Sequence, residues 1–401
     1  MGIPLLVILG VAAVASLVAV VVLWPRIPGP QSRRWIPRTG LVLLSQGLAV
    51  LLALALVNHY GAFYTTWGEI VGSTSSAAQI RHYGGDQKAG DMASRSADRP
   101  LLPAKANHTI PAKSGKTGRL VVRGFTNWST KSQWATKGRV ETVSIRGLES
   151  DLSVLGYVYL PPQYFQPQWA HHTFPAVEAL SGYYGATQAE VTRFDYPGIS
   201  RSLVQQHRST PMIFVMIPST VTPPRDTECT DVPHGPQVET FLSQEVPSAM
   251  QAAFRVRPAD WGIVGDSTGG YCATKILLHH SGTFKAGISL SGYYYTLQDR
   301  TTGNLWGGSA QLRNLNDPEW LITHYLPPPV HLFITSGTGE TFPDGYADTR
   351  RFLRDVRPPM KVTAMIVPGG MHSVATWRKE LPTALHWMSH QLTHASPMPL
   401  P

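Results

Sequence analysis

Residues Trp261–Ala273 read WGIVGDSTGGYCA: a short apolar run, a serine set between glycines, then the start of a second apolar run. The spacing Gly265-x-Ser267-x-Gly269 admits two readings, a plain tight turn or a turn that presents a reactive hydroxyl. Its surroundings decide between them. WGIVG has the character of a buried strand, and GGYCATKILLHH has helical spacing. Strand, Gly-x-Ser-x-Gly and helix together form an elbow in which the serine backbone is strained, so its neighbours at minus two and plus two must be small. The amino terminus of the following helix supplies N–H groups and a positive field where a developing oxyanion would lie.

The same alternation continues on both sides. TFPAVEALSGYYG, STPMIFVMIPS, KAGISLSGY, VHLFITSG and KVTAMIVPGG are predicted strands. NDPEWLITHYL, GYADTRRFLRDV and SVATWRKELPTALHWMSHQLTH are predicted helices, as is PQVETFLSQEVPSAMQAAF with a bend or break at Pro247. Upstream, GRVETVSIRGLES and VLGYVYLPPQYF are two strands across a polar turn, the second ended by Pro161-Pro162. Strands that are apolar throughout and alternate with helices imply an α/β fold, a mostly parallel sheet covered on both faces. Its chemistry belongs at the carboxyl ends of the strands.

A serine nucleophile needs a base, and the base needs an orienting carboxylate, in the chain order serine, acid, histidine for this type of elbow. His372 follows the last strand, in a loop loosened by Gly369 and Gly370, and is the candidate base. Helix capping is its structural alternative. His386, His390 and His394 recur every four residues along the final helix and read as a solvated face. His279 and His280 end a helix, where they favour its negative pole. For the acid, the loop after HLFITSG offers Glu340, nearest the strand end, with Asp344 as the alternative; Asp348 belongs to the next helix. The oxyanion would rest on the N–H groups of Thr268 and of Tyr183, the residue after Gly182 in the loop SGYYG. A trypsin-like reading of GDSTGG fails three ways: Thr268 breaks that signature, no matching motif surrounds His171 and His172 upstream, and the helices contradict an all-β barrel.

At 401 residues the chain is 43% hydrophobic and only 15% charged, against roughly 25% charged in soluble domains. Part of it therefore avoids water. Ile3–Trp24 is uncharged over 22 residues and Gly40–Val57 over 18, long enough to cross a hydrocarbon core of about 30 Å as helices. Asn58, His59, Tyr60, Phe63, Tyr64 and Trp67 follow, an aromatic cluster suited to the headgroup layer. Arg26, Arg33, Arg34 and Arg38 lie between the two runs without an acidic residue, so the short connection is expected on the cytoplasmic side and the large C-terminal part outside. A cleaved signal peptide is the alternative for the first run, but it lacks a basic leader and a clear small-residue cleavage site. Residues 61–117, poor in large apolar side chains, read as a flexible linker ahead of a domain spanning 118–396. The formal net charge of +9 is scattered, without the basic run that a nucleic-acid footprint needs. Only Cys229 and Cys272 are present, too few for a zinc site. In an oxidising compartment they most simply form one bridge; the alternative is that Cys272 fills apolar space on the helix after Ser267.

From Arg139 to Gln391 the chain resembles the Putative esterase family of α/β hydrolases, the group of esterase D and the actinobacterial mycolyltransferases. YVYLPPQY, ALSGYYG, GDSTGG, SLSGYY and GGMHSVATWRKELPTAL carry the resemblance. It implies an α/β-hydrolase fold, no cofactor, a triad of Ser267, Glu340 and His372, and an oxyanion hole at Tyr183 and Thr268. Tyr184 and Trp377 are the candidate substrate contacts. Hydrolysis of a carboxylic ester in a small molecule or envelope lipid is the expected activity. Acyl transfer to an envelope sugar or lipid is the alternative within the enzyme class, and a non-catalytic binding domain the alternative outside it.

Overall fold

The computed structural model describes residues 3–28, 30, 33–61, 78–84, 99–102, 117–183, 185 and 187–393. The chain divides into two compact units, one built around the N-terminal helices and one containing the sheet. In the first, α1 (Ile3–Leu23) and α2 (Trp35–Gly61) pack on each other. Both are long and apolar enough to cross a membrane, and Val11, Val14, Leu43 and Leu54 point their side chains outward. Arg38 closes the connection, donating to the Trp24 carbonyl oxygen at 3.2 Å with its guanidinium 5.0 Å from the Trp24 ring centre. α2 starts before the uncharged run expected from the sequence and continues past it. Phe63, Tyr64 and Trp67 lie outside the described residues.

The second unit is built on a ten-stranded sheet. Its strands are β1 (Gln79–Tyr83), β2 (Gly118–Phe125), β3 (Arg139–Gly147), β4 (Ser153–Leu160), β5 (Ala176–Ser181), β6 (Ile213–Pro218), β7 (Trp261–Asp266), β8 (Phe284–Leu290), β9 (His331–Gly337) and β10 (Lys361–Val367). They lie in the order β1-β10-β9-β8-β7-β5-β6-β4-β3-β2. The six strands from β10 to β6 are mutually parallel; β4, β3 and β2 extend one edge antiparallel, and β1 caps the other antiparallel to β10. The mostly parallel sheet expected from the sequence is thus present. The linker reading changes in two places: Gln79–Tyr83 is ordered by pairing with Val362–Ile366, and Leu101 forms a bridge with Leu326; most of the remainder of 61–117 lies outside the described residues. An edge strand of this kind takes its order from the backbone of its partner, so its own apolar content can be low.

Five helices matter for the site: α3 (Tyr196–Gln205), α4 (Val246–Ala253), α5 (Thr268–His279), α6 (Tyr346–Asp355) and α7 (Val374–Thr393). The expected interruption at Pro247 takes the form of a π-helical turn, Phe241–Glu245, leading into α4 with Pro247 in its first turn, where proline's missing N–H costs nothing. α5 and α7 cover opposite faces of the sheet. On β7, a side chain at Gly262 would run into Met388 and Leu392 of α7. On β8, one at Gly287 would meet Leu277 of α5 together with Ile263, which neighbours Gly262 and points to the other face. Filling both layers, Val177, Ile263, Ile288, Leu332, Leu277 and Met388 are fully buried.

Candidate active site

Strand register brings the site together. Leu180 pairs with Gly265, and Asp266 pairs with Leu290. Leu290 in turn pairs with Thr335, and Val367 with Gly337. The residues just beyond the carboxyl ends of β5, β7, β8, β9 and β10 therefore converge: Gly182 and Tyr183, Ser267, Ser291, Glu340 and His372. β5 connects to β6 on one side while β7 lies on the other, so the convergence falls where the strand order reverses, the place such sheets reserve for ligands.

Ser267 occupies φ 52°, ψ −120°, the strained elbow that its flanking glycines suggested. A side chain at Gly265 would lie 2.2 Å from the Gly269 carbonyl oxygen, and one at Gly269 2.2 Å from that of Leu180. No residue larger than glycine fits at either position without moving backbone. The Ser267 hydroxyl lies 2.9 Å from His372 Nε2, an O–H to N hydrogen bond when the imidazole carries its proton on Nδ1. That Nδ1 faces Glu340 Oε2 at 3.8 Å, within ion-pair reach but longer than a hydrogen bond.

Glu340 is buried and held firmly at its other oxygen. Gly337 N–H donates to Oε1 at 2.7 Å, and the Ser291 hydroxyl donates to the same atom at 2.6 Å. Trp377 Nε1–H donates in turn to Ser291 Oγ at 2.7 Å. A relay from indole to hydroxyl to carboxylate thus fixes the orientation of Glu340. Asp344, the alternative acid, turns away: half exposed, it pairs with Arg351 at 3.3 Å. Asp348 accepts from Tyr294 N–H and from Arg351, each at 2.8 Å, as a structural tie at the start of α6.

On the oxyanion side, Gly182 N–H donates to Asp266 Oδ2 at 3.3 Å, and Gly185 N–H to the Gly182 carbonyl at 2.7 Å. The resulting tight turn carries Tyr183 beside the elbow. Thr268 is the first residue of α5, so its N–H is one of those that no intrahelical carbonyl reaches. Tyr183 ties its phenol down by donating to the Pro224 carbonyl at 2.9 Å. Tyr184 lies outside the described residues. Trp377, expected as a substrate contact, is instead 5% exposed and stands edge-on behind His372, ring centres 4.9 Å apart. Its indole is committed to Ser291, so it packs against His372 and, through Ser291, steadies Glu340. Phe342, exposed, meets His372 from another direction at 5.7 Å.

Three site features escaped the sequence reading. Ser291 left one signal, a serine just past a strand end, and it carries positive φ like Ser267. The other two are buried carboxyls behind the nucleophile, Asp266 and Glu190. Burial pushes Asp266 up, with nearby His372 drawing it partly back. Burial also pushes Glu190 up, and Asp266 adds to its shift. Both shifts favour the neutral form of these carboxyls, which lessens the negative field behind Ser267.

Cys229 and Cys272 are bonded, tying the loop after β6 to α5. His279 and His280 do not serve the pole of α5 as expected; both are buried and contact Glu239 Oε1 at 2.7 and 3.0 Å. His386 and His390 lie on one face of α7 with ring centres 4.7 Å apart, and His386 contacts the Arg208 carbonyl. His394 lies outside the described residues. Among the described residues no cluster of three or more His, Cys, Asp or Glu is arranged to hold a metal ion.

A strained serine on a strand-to-helix elbow, in hydrogen-bond contact with a histidine at the carboxyl edge of a mostly parallel sheet, defines an α/β hydrolase. Within that class the chain belongs to the Putative esterase family, whose model matches residues 148–388. Among curated proteins it is similar to an uncharacterised protein of Corynebacterium glutamicum, 25% identical over 247 residues. The match covers 58% of this chain and spans only 56% of that relative. Among solved structures it is similar to an S-formylglutathione hydrolase of Agrobacterium tumefaciens, with TM-score 0.56 and 18% identity over 67% of this chain and all of that one. It is also similar to a ferulic acid esterase, with TM-score 0.53 and 18% identity over 63% of this chain and 98% of that one. At these identities the structural likeness establishes the fold.

Proposed function

We propose that the protein is a membrane-anchored, extracytoplasmic serine esterase that hydrolyses carboxylic esters through Ser267, His372 and Glu340. The observation that carries this reading is the 2.9 Å contact between Ser267 Oγ and His372 Nε2 at a strained elbow. In the acylation step His372 Nε2 takes the hydroxyl proton as Oγ bonds to the ester carbonyl carbon. The carbonyl electron pair moves to oxygen and is met by the N–H groups of Tyr183 and Thr268. Collapse of this intermediate breaks the ester C–O bond, and His372 returns the proton to the leaving alcohol. Water then attacks the acyl-enzyme with His372 again as base, releasing the acid and restoring Ser267. Glu340 stabilises the imidazolium across a gap of 3.8 Å; such gaps tighten on substrate binding in many hydrolases.

The anchor follows from α1 and α2, and its orientation from the four arginines between their apolar runs. A domain on the outer side sits where the Cys229–Cys272 bridge persists. Ester-bearing small molecules or envelope lipids are the substrates within reach of such a domain. The test is labelling of cells that express the full chain with a membrane-impermeant fluorophosphonate. Wild type is expected to label in intact cells, and Ser267→Ala and His372→Ala to lose the label. Labelling only after lysis would overturn the orientation and leave the triad; a folded wild type that never labels would overturn the triad.

A further inference from the structure

Far from the triad in sequence, a groove lies in the first unit, where the connection after α1 meets the first turns of α2. Its volume is about 480 Å³, within the range of about 300–1,000 Å³ that small-molecule sites occupy. Leu23, Ile27 and Pro28 line it from the end of α1 and the connection. Pro37, Gly40, Leu41 and Leu44 line it from α2, and their i, i+3, i+4, i+7 spacing makes them one stripe of that helix. Arg26 alone among the lining residues is charged. Gly40 keeps the groove open. Glycine inside a helix is destabilising relative to alanine, and packing does not demand it here, because a side chain at Gly40 would meet nothing within 4 Å. What the missing side chain supplies is space. The connection itself is held in shape, with Arg38 tied to Trp24 and prolines at 25, 28 and 37.

The chemistry of the lining selects the occupant. Apolar walls ask for hydrocarbon, and Arg26 asks for an anion at one end of it. Arg26 is exposed, and its Nη1 donates to the Val22 carbonyl oxygen at 2.6 Å; a guanidinium carries further donors in a fork that matches phosphate oxygens. Residues 1–61 contain Arg26, Arg33, Arg34 and Arg38 but no lysine, aspartate or glutamate. The connection is therefore positive, and no carboxylate of the two helices opposes it. A phospholipid with a net negative headgroup matches both features, its acyl chain along the stripe of α2 and its phosphate at Arg26. A zwitterionic lipid matches the walls but brings its own cation to the arginines. Basic residues beside membrane-spanning helices attract anionic headgroups for this reason.

We infer that this groove is a binding site for one anionic phospholipid of the leaflet on the arginine side, held by Arg26 and by the apolar stripe that Gly40 leaves open. The site rests on the membrane-anchored reading and is independent of the triad, so its test is lipid binding and not turnover. Full-length protein in detergent micelles is titrated with phosphatidylglycerol and with phosphatidylcholine of identical acyl chains, and bound lipid is counted by native mass spectrometry. A first lipid is expected to bind saturably, with phosphatidylglycerol ahead by at least about fivefold, the effect of one basic residue at an anionic surface. Arg26→Gln is expected to abolish that preference and leave phosphatidylcholine binding unchanged. Gly40→Leu places its side chain in open space, so α2 is expected to stay intact while the filled groove binds both lipids more weakly. Equal affinity of wild type for the two lipids would overturn the site. So would a preference that survives both substitutions, which would mark lipid spread along the helices. Alkaline carbonate extraction of membranes tests the anchor separately. Release of the chain would overturn the anchor and this site together, whereas a retained chain with no lipid preference would overturn this site alone.

Discussion

The two ends of α5 solve opposite problems with similar residue types. Toward its carboxyl end and inner face, buried charges are fully matched. Lys275 Nζ donates to the Glu228 carbonyl at 2.7 Å, Thr230 Oγ1 at 3.0 Å and Asn316 Oδ1 at 2.9 Å, one acceptor for each of its three hydrogens. Glu239 beside it takes contacts from His279, His280 and, at 3.8 Å, Lys275 itself. At the amino end the match is left incomplete. Ser267 is strained, the His372–Glu340 contact is 3.8 Å long, and His372 Nδ1 makes no hydrogen bond. A saturated network holds a fold in one state; a proton can move only where a donor and acceptor still have somewhere to go. The comparison therefore predicts that substitutions at one end cost rate and at the other cost stability.

The largest effect is expected at Ser267. Ser267→Ala is expected to lower ester hydrolysis by about 10³-fold or more, with little change in thermal stability, measured with p-nitrophenyl esters and by melting. At the matched end Lys275→Met is expected to lose roughly 3–5 kcal/mol of stability, because Glu239 stays buried without its ammonium. The protein that remains folded is expected to keep the wild-type rate. A large rate loss with an unchanged melting curve would break the division between the two ends. Ser291→Ala sharpens it from the other side. Removing the hydroxyl that steadies Glu340 is expected to lower kcat by about tenfold to a hundredfold with little change in KM, the scale of one hydrogen bond to a charged group. Equal losses in kcat and stability would make Ser291 merely structural.

A further effect concerns pH. Burial, with Asp226 beside it, pushes the Glu228 carboxyl up to about 8, and burial pushes Asp348 up to about 7. In the unfolded chain both ionise near about pH 4. Between those values the folded state holds the extra protons, so this contribution to stability is complete below the unfolded range and is lost as pH rises through the folded values. Melting temperature is expected to fall from pH 5 to 8. Glu228→Gln, which keeps a neutral side chain of the same shape, is expected to flatten part of that slope. A slope unchanged in Glu228→Gln would mean that other groups produce it.

Local chemistry made much of this protein legible in one dimension. Glycines at minus two and plus two of Ser267 are demanded by backbone contacts within a few residues, and the order serine, acid, histidine follows from the order of the strands. Periodicity exposed the alternation of strands and helices, because each element must bury its own face. The uncharged N-terminal runs were equally plain, since length and composition alone mark a helix that could cross a membrane. Other features depend on register between strands far apart in the chain, and these only the tertiary structure decided. The loop after β9 places Glu340 buried 3.8 Å from His372 Nδ1, while Asp344 is half exposed and pairs with Arg351. Ser291 and Trp377 meet across 86 residues of sequence. Gln79–Tyr83 becomes a strand only because β10 offers an open edge. The carboxyls of Asp266 and Glu190 look in sequence like any other polar residue. Burial gives them their character, and burial is a property of packing between elements that no local stretch of chain contains.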